Sequence, residues 1–203
     1  MNKTIELLFD FVSPNAYLIW QPLKALAEKH GGVIEVTPVF LGGMHKLTGN
    51  APPMIRDAQV KGKNEYAMLE MNRFITKHGL TKWQMNPKFP FNTITLQRML
   101  IAIEPEKRGG FIEALLIGLW EQQLDATDMQ AVAETIQKSG FDAQDLFARS
   151  QEPEIKQALI DNTAKAVERG AFGIPTFFVD DEMFFGKERL TQIGEVLAMT
   201  ANK

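Results

Sequence analysis

Apolar and polar residues follow two periods along this chain, and where the period changes the architecture changes with it. Ile5, Leu7 and Phe9 alternate with Glu6, Leu8 and Asp10, the spacing of a strand with one well-buried face. Ser13 and Pro14 then stand as N-cap and first helical residue. Tyr17, Trp20, Leu23, Leu26 and Ala27 recur at helical spacing until Gly31-Gly32 stops them. Val33 to Phe40, rich in β-branched residues, reads as a second strand closed by Gly42-Gly43. These elements make a strand–helix–strand unit.

From about residue 57 to 164 the period is helical almost throughout. Tyr66, Leu69 and Phe74 mark a helix that stops at Gly79, and Thr81 to Phe91, with Trp83, Met85, Pro87 and Pro90, reads as an ordered loop. Asn92 or Thr93 opens a helix through Ile103, and Phe111 to Leu124 is the most apolar helix of the chain. Met129–Lys138 and Ala143–Arg149 follow Asp128 and Asp142, and Glu152-Pro153 opens a last helix of the block, ended at Gly170. The end returns to β: a strand from Thr176 to Asp180, a turn through Glu182, a paired strand at Met183–Phe185, and a helix from about Lys187 to Met199. The pattern predicts an α/β fold, a thioredoxin-like domain at residues 1–48 and 165–203 with an inserted all-helical domain at 49–164.

Composition sharpens this reading. The 203 residues contain no cysteine, so disulfides, thiolate metal sites and resident redox chemistry are excluded. In a thioredoxin-like fold a C-x-x-C sits where the first strand hands over to the first helix. Here that place reads Ser13-Pro14-Asn15-Ala16. Any sulfur must come from outside, and glutathione is the natural outside thiol. A net charge of −3 implies no nucleic-acid partner. No apolar run approaches the ~18 residues of a membrane span, and Glu6 interrupts any signal-peptide pattern. The expectation is a soluble cytoplasmic protein.

Four segments carry candidate chemistry. Ser13 at a helix start is an ordinary cap, yet the same N-terminus lowers the pKa of a bound thiol, and its hydroxyl can donate to a sulfur anion. Ile174-Pro175 before a strand is either a trans proline opening an edge strand or a cis proline. In thioredoxin-like folds the residue before that cis proline turns its backbone toward the bound thiol's peptide. Gly186-Lys187-Glu188-Arg189 is an exposed helix start or a place for an anion, with Glu188 available to an amino group. Leu47 to Pro53 is by itself only a turn. His30, His45 and His78 show no ligand spacing, so no metal site is expected. Met68, Met71 and Met99 read as core, and Trp83, Met85 and Phe89 serve either a substrate wall or packing between the two domains.

With these segments in place the chain resembles the 2-hydroxychromene-2-carboxylate isomerases, grouped with the kappa-class glutathione transferases in the DsbA-like branch of the thioredoxin superfamily. The matching pieces are Phe9–Leu18 (FDFVSPNAYL), Thr48–Pro53 (TGNAPP), Asn86–Thr93 (NPKFPFNT), Arg169–Val179 (RGAFGIPTFFV) and Phe184–Leu190 (FFGKERL). The resemblance implies that Ser13 contacts the glutathione sulfur and that Asn50 lies at the active site. It implies that Ile174, before cis Pro175, pairs with the glutathione backbone, and that Glu188 and Arg189 hold the γ-glutamyl end. Lys46, Asn86 and Trp83 are candidates for the substrate pocket. Asn15 stands where the family often has tyrosine, and Glu188 where it often has aspartate. The implied reaction interconverts 2-hydroxychromene-2-carboxylate and trans-o-hydroxybenzylidenepyruvate: a thiolate adds to the conjugated alkene, a single bond rotates, and the thiolate departs. A homodimer acting on a small aromatic carboxylate is implied too. The alternatives are a kappa-like transferase or peroxidase on the same scaffold, and a glutathione- or peptide-binding module without turnover.

Overall fold

A four-stranded sheet in the order β2-β1-β3-β4 forms the centre of the computed structural model, which describes residues 3–200. β1 (Thr4–Phe9) runs parallel to β2 (Val33–Pro38), with Leu7 opposite Val36, and antiparallel to β3 (Thr176–Val179), with Leu7 opposite Phe177. β4 (Glu182–Phe185) closes the hairpin on β3. β1 lies between two neighbours, with Ile5, Leu7, Leu8 and Phe9 buried and only Thr4 and Glu6, at its start, reaching solvent.

α1 (Pro14–His30) begins with Pro14 at its first turn and ends on Gly31, whose φ of 64° takes the left-handed conformation a helix stop requires. It packs beside the C-terminal helix α10 (Leu190–Thr200). The strand expected through Phe40 ends at Pro38, and Gly42-Gly43 fall inside a helix, α2 (Leu41–Thr48). They serve space rather than termination: a Cβ at Gly42 would sit 2.9 Å from the ring of Phe40.

The helical block comprises α3 (Pro53–Arg56), α4 (Lys63–His78), α5 (Ile94–Ala102), α6 (Arg108–Glu121), α7 (Met129–Lys138), α8 (Ala143–Arg149) and α9 (Pro153–Glu168). α7 and α8 have the expected bounds because Asp128 and Asp142 cap them, each accepting two backbone N–H bonds. The helix expected at 111–124 is α6. It starts earlier because Arg108 anchors its first turn on the carbonyls of Val36 and Ile103. The boundary expected at 164–165 falls inside α9, which packs on β2 and α2.

α4 forms as expected, but of its expected stripe only Phe74 turns inward. Tyr66, Met68 and Leu69 are exposed, while Met71, Phe74 and Ile75 are partly buried against the core. One continuous core joins sheet and block. At its centre the fully buried Trp120 of α6 lies against Phe89 and Phe91 and donates its Nε1–H to the carbonyl of Phe11, 3.2 Å away. That bond fixes the block to the loop that leads into Ser13.

Candidate active site

Four consecutive carbonyls, from Phe172 to Pro175, draw three distant segments of the chain together. Asn50 Nδ2 donates to the Phe172 carbonyl at 2.8 Å, and Thr176 Oγ1 donates to that of Gly173 at 2.7 Å. Ser13 Oγ donates to the Ile174 carbonyl at 3.4 Å, and the Gly186 N–H to that of Pro175 at 3.0 Å. The Ile174-Pro175 bond is cis, the alternative that the family resemblance implies. The Ile174 N–H makes no hydrogen bond among the described residues, so one backbone donor beside Ser13 is left for a ligand peptide. Gly173 lacks a side chain because Phe185 needs the space: a Cβ there would lie 2.8 Å from its ring.

Ser13 occupies the N-cap position of α1 with extended backbone, but its side chain makes no capping bond. The capping reading of Ser13 is thereby corrected: the hydroxyl turns across to Ile174 at a distance that marks a weak bond. The first turn of α1 carries no acidic residue, so no side chain of that turn offsets its positive end. A buried hydroxyl able to turn, a helix N-terminus and an unpaired backbone N–H can together hold an anionic sulfur and the peptide that carries it.

Asp10 organises the ground beneath Ser13, and the sequence reading passed over its role. It is fully buried and accepts from Thr93 Oγ1 at 2.6 Å, the Leu41 N–H at 2.8 Å and the Val12 N–H at 3.1 Å. One carboxylate thus joins the Ser13 loop, the start of α2 and the start of α5. The signal was present in the chain, as an acidic residue set between Phe9 and Phe11 at the end of an apolar strand. Burial raises its pKa from 3.8 to about 6, against the three hydrogen bonds that pull it down. The folded protein therefore holds this proton more tightly than the unfolded chain. Stability from this group is complete below about pH 4 and is lost as the pH rises to about 6. Two pKa units correspond to roughly 3 kcal/mol. Denaturant titrations between pH 4 and 7 are expected to show that slope in the parent and a flatter curve in Asp10→Asn. Equal slopes would remove Asp10 as its source.

The remaining candidates fall into two groups. Glu188 lines a cleft of about 230 Å³ between α4 and the start of α10, and the largely buried Lys187 pairs with it. Arg189 is exposed and turns to Gln192, away from that cleft. Lys46 is exposed in the last turn of α2, on the way to Asn50. Trp83 is half-buried against the core, with its Nε1–H buried and unpartnered among the described residues. Asn86 does not fit the substrate pocket. It is 1% exposed, and its amide donates to the carbonyls of Leu119 and Leu124 while accepting from the Lys88 N–H, so its hydrogen-bonding groups are committed to holding the loop. A second cleft, of about 180 Å³, opens beside Tyr17. Glu113 and Glu121 on its rim against Lys82 make it a poor place for an anionic substrate.

A thioredoxin sheet, a serine in place of cysteine at the first helix start and a cis proline facing it define a thioredoxin-fold protein that has given up its own thiol. Residues 4–198 match the DSBA-like thioredoxin domain, and the chain belongs to that family. It is 29% identical over 193 residues to a 2-hydroxychromene-2-carboxylate isomerase of Sphingobium xenophagum, covering 94% of this chain and 95% of that one. It is 26% identical to glutathione S-transferase kappa 1 of Rattus norvegicus, covering 96% and 91%. The solved structure of a 2-hydroxychromene-2-carboxylate isomerase superposes with a TM-score of 0.81 at 23% identity, covering 98% of this chain and 96% of that one. A cytosolic disulfide reductase of Pseudomonas aeruginosa with glutathione shares the fold at a TM-score of 0.65 and 15% identity, over 98% of each chain. Among the described residues no helix is long and apolar enough to cross a membrane, and no His, Asp and Glu cluster could hold a metal ion.

Proposed function

We propose that this protein is a glutathione-dependent isomerase that interconverts 2-hydroxychromene-2-carboxylate and trans-o-hydroxybenzylidenepyruvate. The observation that carries the reading is the convergence of Ser13, Asn50 and Gly186 on the carbonyls of 172–175, with the Ile174 N–H left unpaired. Glutathione, when bound, supplies the thiolate that adds reversibly to the conjugated alkene. Ser13 turns its hydroxyl from Ile174 to the sulfur, and the α1 N-terminus favours the anion. Ile174 offers its N–H to the tripeptide backbone, and Asn50 keeps the 172–175 loop in place for it. Holding thiolate and alkene at reacting distance is the protein's main contribution. The reading carries a homodimer, for which exposed Met54, Ile55 and Val60 offer an apolar surface, and a cytoplasmic setting, where reduced glutathione is abundant.

Calorimetry at neutral pH is expected to show one glutathione per chain and weaker binding of S-methylglutathione. No heat at millimolar glutathione would sink the cofactor assignment. The similarity to kappa-class transferases over nine-tenths of both chains favours a second reading, transfer of glutathione to an electrophile. The two separate by mass balance: isomerisation leaves total glutathione unchanged, whereas conjugation consumes it.

A further inference from the structure

The cleft beside Glu188 has a second wall that neither the motifs nor the fold brings to notice. α4 contributes Glu70, Arg73, Phe74 and Lys77, and the start of α10 contributes Lys187 and Glu188. Two of the cations are already engaged inside it, Arg73 with Glu70 and Lys187 with Glu188. Lys77 makes no ion pair or hydrogen bond among the described residues. Lys187 bonds only Oε1 of Glu188, and Oε2 of that carboxylate has no hydrogen-bond partner. The cleft therefore offers one unpaired ammonium on α4 and one unpaired carboxylate oxygen on the facing segment. Lys187 also lies 5.7 Å from the ring of Phe74, which closes the floor with an apolar face.

A ligand end that carries a carboxylate and an ammonium on one carbon matches this pair of charges. A simple anion would be repelled by Glu188, and a simple cation by Lys77. The cleft also lies within reach of the 172–175 loop, because the Gly186 N–H bonds Pro175 and Glu188 is two residues on, at most about 7 Å of chain. We infer that α4 forms the cationic wall of the γ-glutamyl subsite, with Lys77, supported by Arg73, binding the α-carboxylate while Glu188 binds the α-ammonium. This rests on the glutathione reading above. It moves the carboxylate contact from Arg189, which faces Gln192, to a helix of the inserted block.

The test compares two thiols, glutathione and cysteinylglycine, which lacks the γ-glutamyl group. Both are titrated calorimetrically into the parent, Lys77→Gln and Arg73→Gln. Lys77 and Arg73 are exposed, so the variants are expected to fold, and circular dichroism checks this. The expected result is at least tenfold weaker glutathione binding in Lys77→Gln, a smaller loss in Arg73→Gln, and no change for cysteinylglycine in either. The glutathione loss in Lys77→Gln should shrink in high salt, as the parent's ionic contact is itself screened. Glutathione binding unchanged in both variants would overturn the subsite while leaving the cofactor assignment intact. Equal losses for both thiols would also overturn it, by showing that α4 acts on the fold or on the shared dipeptide. A parent that binds neither thiol would overturn the cofactor assignment and the subsite with it.

Discussion

Ser13→Ala is expected to leave the fold in place and to lower the isomerase kcat by roughly ten- to a hundredfold. The two halves of that statement come from different contacts. In the free protein Ser13 makes no capping bond, and its hydroxyl reaches Ile174 at 3.4 Å, the weak end of the hydrogen-bond range. Losing it should cost less than about 1 kcal/mol of stability. With an anionic sulfur beside it the same hydroxyl makes a charge-assisted bond of about 1.5–3 kcal/mol. By the usual conversion that is roughly one to two units of thiol pKa, and the same free energy sets the expected loss in rate. Thiolate absorbance followed against pH in the binary complex measures the first quantity, and steady-state kinetics the second. A variant with the parent's thiol pKa and kcat would leave activation to the α1 N-terminus alone.

Several element boundaries could be read from the chain because local chemistry dictates them. Pro14 at a helix start, Asp128 and Asp142 as caps and the Gly79 stop each fix a boundary through backbone groups within one turn. The Ser13 segment and the Ile174-Pro175 pair stood out as motifs, but the residues alone left the proline bond trans or cis, and the resemblance to the family implied the cis form that is found. What escaped was decided at long range. Gly42-Gly43 looks like a break until the ring of Phe40 is seen to need the space. Tyr66, Leu69 and Phe74 have the right helical period, but Phe74 also belongs to a second stripe with Met71 and Ile75, and only packing chooses between them. Asp10 is one acidic residue among many in the sequence, and its three donors come from the loop before Ser13 and from the starts of α2 and α5. Arg189 sits beside Glu188 in the chain, yet the 3-10 turn at Lys187–Arg189 sends the two side chains in different directions.

Asn86 shows the same contrast most sharply, and its removal should produce the largest loss of stability. Its segment resembles part of an active-site family, but its amide is a tether. Nδ2 donates to the Leu119 and Leu124 carbonyls at 2.9 Å each, and Oδ1 accepts from the Lys88 N–H at 2.9 Å. Asn86→Ala strips three hydrogen bonds from a site that is 1% exposed and leaves the Leu119 carbonyl short of a buried partner. The expected cost is about 3 kcal/mol, which for a chain of this size lowers Tm by roughly 6–12 °C. KM for the aromatic substrate should stay near the parent value. Asn86→Asp separates tether from cavity. It keeps the shape and the acceptor for Lys88, but sets a carboxylate oxygen against two carbonyl oxygens. The ionised form is disfavoured there, so the introduced carboxyl has its folded pKa raised, and the variant should lose stability as the pH rises through that value. At neutral pH it should be less stable than Asn86→Ala, and in mild acid the order should reverse or close. An Asn86→Asp protein as stable as the parent at pH 7, or an Asn86→Ala protein with an unchanged Tm and a raised KM, would return Asn86 to the pocket wall.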